Sequence, residues 1–172
     1  VLSILLAASC GDDFTPYNEL DGLRVVAVKS EPPTVPDGDT ATLSSLVIPA
    51  RAGAITYKWR WCPLIGPSTA GYPCLVTEAQ ATEWAEQPIS FDLGTADTAT
   101  LDVAIPRSVL AQFCAADAGA LPVGAPVTRC NQGFPVHVFL TVSDGTETIV
   151  AKKEVLLATD ANQSNANPDI TA

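Results

Sequence analysis

The chain has no methionine, a single histidine and only nine lysine and arginine residues against nineteen aspartate and glutamate residues, a formal net charge of -10 over 172 residues. Each shortage excludes something. So few cations on so acidic a chain exclude non-specific nucleic-acid binding, because phosphates are repelled and few counterions are released. With one histidine, any Ser-His-Asp or Cys-His mechanism has to pass through His137. That residue sits mid-strand among core valines, where a sheet-surface role is expected rather than catalysis. No C-x-x-C spacing occurs, so zinc is not expected. The GPSTAG segment does not match G-x-S-x-G, which removes the nucleophile elbow, and GALPVG has no following helix to cradle a phosphate. Methionine is missing even at position 1, and the chain is expected to be a fragment of a longer precursor.

What is present begins with VLSILLAASCGDD. Val1 to Ala8 is an apolar run of the kind found in the h-region of an export signal, and Ala7, Ala8 and Ser9 are small residues suited to a cleavage site. LAASC resembles the lipobox of bacterial lipoproteins, in which the cysteine is acylated and becomes the mature N-terminus. The resemblance implies a truncated signal peptide over residues 1–9, lipid attachment at Cys10 and a polar tether over residues 10–22. It also implies a membrane partner reached through lipid in the bacterial cell envelope. Gly11 stands where that family carries an inner-membrane retention aspartate, which points to the outer membrane. Several acyl chains hold a protein on a bilayer where one does so only marginally. No later stretch is long enough to span a bilayer.

From Leu23 the pattern is β. ITYKWRWCP alternates, with Tyr57, Trp59 and Trp61 on one face and Lys58, Arg60 and Cys62 on the other. TATLDVAIP repeats this with Ala99, Leu101, Val103 and Ile105. VHVFLTV-SDGTE-TIVAKKEVLL is two strands around an Asp-Gly turn, which predicts a hairpin with Val136, Val138, Leu140 and Val142 inward. PRSVLAQFCAADA predicts one short helix opened by Pro106, and TEAQATEWAEQ at most a turn of helix. Strands at this spacing, joined by Gly/Pro-rich loops, predict an all-β antiparallel sandwich with at most one or two short helices.

LRVVAVKSEPPTVPDGDTATLSSLV followed by YKWRWCP and the late hairpin resembles an Ig-like domain, of the Ig or fibronectin III kind, of bacterial surface lipoproteins. The resemblance implies a sandwich over residues 23–158, with Trp59 as the core tryptophan. It departs from antibody domains in lacking their inter-sheet cysteines and tyrosine corner. Residues 159–172 read as a linker or tail, of the kind that leads to further domains.

Setting Cys10 aside leaves four cysteines, an even number suited to an oxidising compartment. Proximity favours Cys62 with Cys74 and Cys114 with Cys130, one of three connectivities. Each bridge would staple a long loop and contribute roughly 3 kcal/mol by restricting the unfolded chain. No cofactor is expected. Asp37 and Asp39, or Asp92 and Asp97, lack the alternating oxygen ligands of an EF-hand loop, and Glu83 and Glu86 read as solvated loop residues. Trp61, Tyr72 and Trp84 are the candidates for a ligand-binding surface, because binding favours loops on a rigid scaffold.

The function expected is non-catalytic: an envelope-anchored structural, adhesion or assembly module with a protein or glycan partner at the cell surface. The alternatives are a carbohydrate- or peptide-binding module and an accessory domain of a larger exported enzyme. Non-reducing peptide mapping is expected to join Cys62 to Cys74 and Cys114 to Cys130, and a cross-pairing between the two loops would contradict this framework.

Overall fold

The computed structural model describes residues 22–49, 53–114 and 133–158. In chain order these form β1 (Arg24–Glu31), β2 (Thr34–Val35), β3 (Thr40–Ile48), β4 (Thr56–Cys62), α1 (Glu78–Ala85), β5 (Asp92–Gly94), β6 (Thr98–Asp102), α2 (Arg107–Gln112), β7 (Phe134–Ser143) and β8 (Thr148–Leu157). The fold is mostly β, as alternation predicts. Sheet A runs β1-β3-β6 and sheet B runs β2-β8-β7-β4-β5. All pairings are antiparallel except the short β2–β8 ladder, which is parallel. Sheet B is curled into a half-barrel.

The period-2 pattern decides which side chains are inside. Along β7 buried and half-buried residues alternate without a break, so Val136, Val138, Leu140 and Val142 face inward. The same rule buries Ala41 and Leu43 on β3, and Ala99 and Leu101 on β6. Trp59 and Trp61 on β4 join them in one continuous apolar cluster shared by the two sheets. Each indole satisfies its N–H before burial: Trp59 Nε1 donates to the Ala96 carbonyl at 3.0 Å, and Trp61 Nε1 to the Ser90 carbonyl at 2.9 Å. A buried indole N–H without a partner would cost about 1–3 kcal/mol. The segments on either side of β5 therefore supply the acceptors for the two indoles of β4.

Turn chemistry fixes the late hairpin. Asp144 Oδ1 accepts the N–H groups of Thr146 and Glu147 at 2.9 and 2.8 Å, and Gly145 takes the left-handed conformation between them. At the other end of β7, a Cβ on Gly133 would lie 2.6 Å from the Leu157 carbonyl oxygen, and its φ of 118° is open only to glycine.

The helices differ from expectation in one case. α2 follows Pro106 as predicted, with the Pro106 carbonyl accepting from Val109 and Leu110. α1, by contrast, is two turns long. Its start is a capping box: Thr77 Oγ1 accepts the Gln80 N–H, and the Gln80 side chain accepts the Thr77 N–H. Helical periodicity is weak there because only Ala81 is fully buried. Two strands were also not expected from sequence, β2 and β5, and each is too short to show a period.

Arg107 ties α2 to the turn after β2. Its guanidinium is buried, with Nη2 donating to the Pro36 carbonyl at 3.1 Å and Nε lying 3.3 Å from Asp37 Oδ1. Burial lowers the Arg107 pKa, and the Asp37 charge opposes that shift.

Trp59→Ala is expected to lower the unfolding free energy by about 3–5 kcal/mol in a urea titration, as large core truncations do. A loss below about 1 kcal/mol would place Trp59 outside the core.

Candidate functional site

β4 ends at Cys62, and the next residues fold back as a small hairpin. Cys62 is bonded to Cys74, with the two Cα atoms 5.8 Å apart. This confirms the first expected bridge. Within the loop, Gly66 N–H donates to the Pro73 carbonyl at 2.8 Å and Leu75 N–H to the Leu64 carbonyl at 2.9 Å. Gly66 permits that approach, since a Cβ there would meet the Pro73 ring at 2.9 Å. Leu64 and Val76 drop into the core and root the hairpin. Cys114 is also disulfide-bonded. Its expected partner, Cys130, and the expected lipid site, Cys10, lie outside the described residues.

The hairpin tip is a single 3-10 turn, Ser68–Ala70, closed by Gly71 in the left-handed conformation. Tyr72 follows with φ of 55°, a strained value for a side chain of this size. Its N–H donates to the Pro67 carbonyl at 3.3 Å. The tip thereby sets the Tyr72 ring over sheet B, where Lys152 Nζ lies 4.3 Å from the ring centroid, within cation–π range. Between the hairpin and the sheet runs an open groove of about 270 Å³, lined among others by Arg60, Cys62, Tyr72, Phe139, Thr141 and Val150.

Cross-strand register explains the floor. Arg60 on β4, Phe139 on β7 and Lys152 on β8 stand in one row, and Lys58, Thr141 and Val150 in the next. Lys58, Arg60 and Lys152 are three of the nine cations of the chain, and all are exposed. They are scattered in sequence, and only strand pairing gathers them. None forms an ion pair with a described carboxylate. Asp92 is the register partner of Arg60 on β5, but its Oδ1 accepts the Gly94 N–H at 2.8 Å.

The expected aromatic trio does not converge. Tyr72 stands at the groove, but Trp61 is only 2% exposed, with its ring edge-on to Phe91 at 5.2 Å. Trp61 borders the groove with little more than its backbone. Trp84, half-buried on α1, packs against Phe113 at 5.1 Å and does not line the groove. The alternation of β4 already put Trp61 on the Trp59 face, so its burial follows from the pattern. Arg60, Phe139 and Lys152 were not singled out from sequence, because their proximity is a property of register.

His137 forms the third row with Cys62 and Glu154. Its Nδ1 is buried without a hydrogen-bond partner. Desolvation, helped by the nearby Lys152 charge, lowers its pKa from 6.5 to about 4, so the imidazole is neutral at physiological pH. Its cysteine neighbour is held in the disulfide and is not a free thiol. Among the described residues, no three His, Cys, Asp or Glu side chains gather to hold a metal ion.

The unfolded chain protonates this histidine near pH 6.5 and the folded chain only near pH 4, so between these values the unfolded state binds more protons. Stability therefore falls as pH drops through that window. His137→Gln is expected to show a smaller loss of urea midpoint than wild type between about pH 7 and about pH 4.5. Equal losses would contradict a buried, neutral imidazole.

Comparison of the chain with family models, with characterised proteins and with solved structures gives no match in any of the three.

Proposed function

We propose that this chain is a non-catalytic module of a bacterial lipoprotein: an Ig-like sandwich carried on a lipidated tether at the cell envelope, on the outer membrane, serving structure, adhesion or assembly there. The sandwich reading is supported by strand order. β1, β3 and β6 stand side by side as the A, B and E strands of an Ig domain do, and β4, β7 and β8 as C, F and G. Trp59 then occupies the buried position on the C-like strand.

The observation that carries the functional reading is the environment of His137. The one side chain through which a hydrolytic triad or dyad would run is half-buried, a weak base with its pKa lowered to about 4, and opposite a cysteine already oxidised. What the fold offers instead is a rigid surface.

Its orientation suits an anchored module. Leu23 N–H donates to Glu147 Oε2 at 2.9 Å, so the tether enters at the β7–β8 turn. The stapled hairpin starts at Cys62, whose partner His137 lies six residues back along β7 from Ser143. At about 3.3 Å per residue that is about 20 Å from the point of entry. An anchor upstream of residue 22 would therefore join the domain at the end opposite the start of the hairpin. Among the described residues no helix is long and apolar enough to cross a membrane, so attachment in this proposal depends on Cys10.

Cys10→Ala is expected to move the protein from the membrane fraction to the soluble fraction of cells expressing the full precursor. Undiminished membrane retention of the variant would overturn the anchor.

A further inference from the structure

We infer that the groove between the stapled hairpin and the outer face of sheet B is a binding site for an acidic saccharide, one uronate ring at a time. The inference adds a ligand class to the module proposed above and does not depend on how the module is anchored.

Charge is the first argument. On a chain of net charge -10, Arg60 lines the groove, and Lys58 and Lys152 share strand rows with its lining residues Thr141 and Phe139, with no described carboxylate in an ion pair with any of the three. Against these three cations the same face of sheet B carries Asp92 and Glu154, neither within ion-pair distance, so the face is net positive by one charge on an otherwise acidic chain and favours an anion. Arg60, which lines the groove, offers the planar fork that matches a carboxylate with two parallel hydrogen bonds.

Shape and surface chemistry choose the kind of anion. Tyr72 and Phe139 supply aromatic faces and Val150, 61% exposed, an apolar floor, while Thr141 contributes a hydroxyl that both donates and accepts. Apolar faces with a few fixed polar groups suit a sugar ring, which is apolar on its C–H face and polar at its rim. A volume of about 270 Å³ holds one ring, and the groove is open to solvent rather than enclosed.

An acidic peptide fits less well. Extended peptides gain affinity by adding a strand to a free sheet edge. Among the described residues β7, at the centre of the floor, is paired along both edges, whereas β8 has a partner on its outer edge only at Leu156 and Leu157, so strand addition would take place at that edge and not within the groove. Only side chains are on offer, and those are the groups that read a sugar.

The site is also preorganised. The Cys62–Cys74 bond and the two backbone bonds across the hairpin hold the wall in place before any ligand arrives.

The test is calorimetric titration of the full chain with short oligomers of galacturonate, glucuronate and mannuronate. Parallel titrations use the methyl-esterified galacturonate oligomer, a neutral oligomer of glucose and oligoglutamate. At least one uronate oligomer is expected to bind, with the esterified and neutral sugars and oligoglutamate at least about tenfold weaker. Arg60→Ala and Tyr72→Ala are expected to weaken binding about tenfold or more, while Lys29→Ala, an exposed cation on sheet A, leaves it unchanged. Both groove residues are exposed, so thermal melting that matches wild type shows that the variants are folded. No binding by any uronate, or binding indifferent to Arg60→Ala, overturns the site. Equal binding of the methyl ester or of oligoglutamate overturns the ligand class.

Discussion

The antiparallel register between β4 and β7 is the constraint on which the rest of the molecule depends. It sets Trp59 opposite Leu140 and Trp61 opposite Val138, so both tryptophans meet the inner face of the sheet. By the same register Arg60 is opposite Phe139 and Cys62 opposite His137 on the outer face. A slip of one residue would exchange the two sets, exposing two indoles and burying a guanidinium. The energetic gap between these registers is large because each indole N–H also needs its acceptor, at Ala96 and Ser90. Packing on one face thus dictates the chemistry displayed on the other.

The disulfide acts at the boundary of these two faces. Cys62 ends β4 pointing outward, and its bond to Cys74 returns the chain over the outer surface instead of letting it run into solvent. Leu64 and Val76, a short way inside and outside the bridge, anchor the loop in the core. With both ends fixed, the tip carries Tyr72 in a left-handed conformation that an unconstrained loop would relax. The cost of that backbone is met by contacts elsewhere, among them the Lys152 ammonium against the ring. Rigid root and strained tip are the features expected of a wall that keeps a groove open.

The core was legible in the sequence because alternation is a local property. Every inward residue expected on β6 and β7 is buried, as is Trp59, and the Cys62–Cys74 bond expected from short separation is present. α1 was underestimated for a definite reason: helical periodicity is faint when only Ala81 is buried, while the capping signal, threonine three places before glutamine, was present at residues 77–80. β2 and β5 are set by pairing with β8 and β4, which no window of two or three residues reveals. The groove was half legible. Tyr72 was found as an aromatic on a stapled loop, but Trp61 and Trp84 are drawn away by the core and by Phe113. The gathering of Lys58, Arg60 and Lys152 spans almost a hundred residues of chain and exists only once β4, β7 and β8 are paired.

The central claim is that the stapled hairpin lies over sheet B and holds Tyr72 against β8. Nuclear Overhauser contacts between the Tyr72 ring protons and the Lys152 side chain test this most directly, with the ring-current shift of the Lys152 methylenes as a second reading. The account predicts strong contacts and upfield-shifted methylenes in the oxidised protein, both lost when the Cys62–Cys74 bond is reduced. Their absence from the oxidised protein would mean that the hairpin does not cover the sheet, and the groove would have no wall.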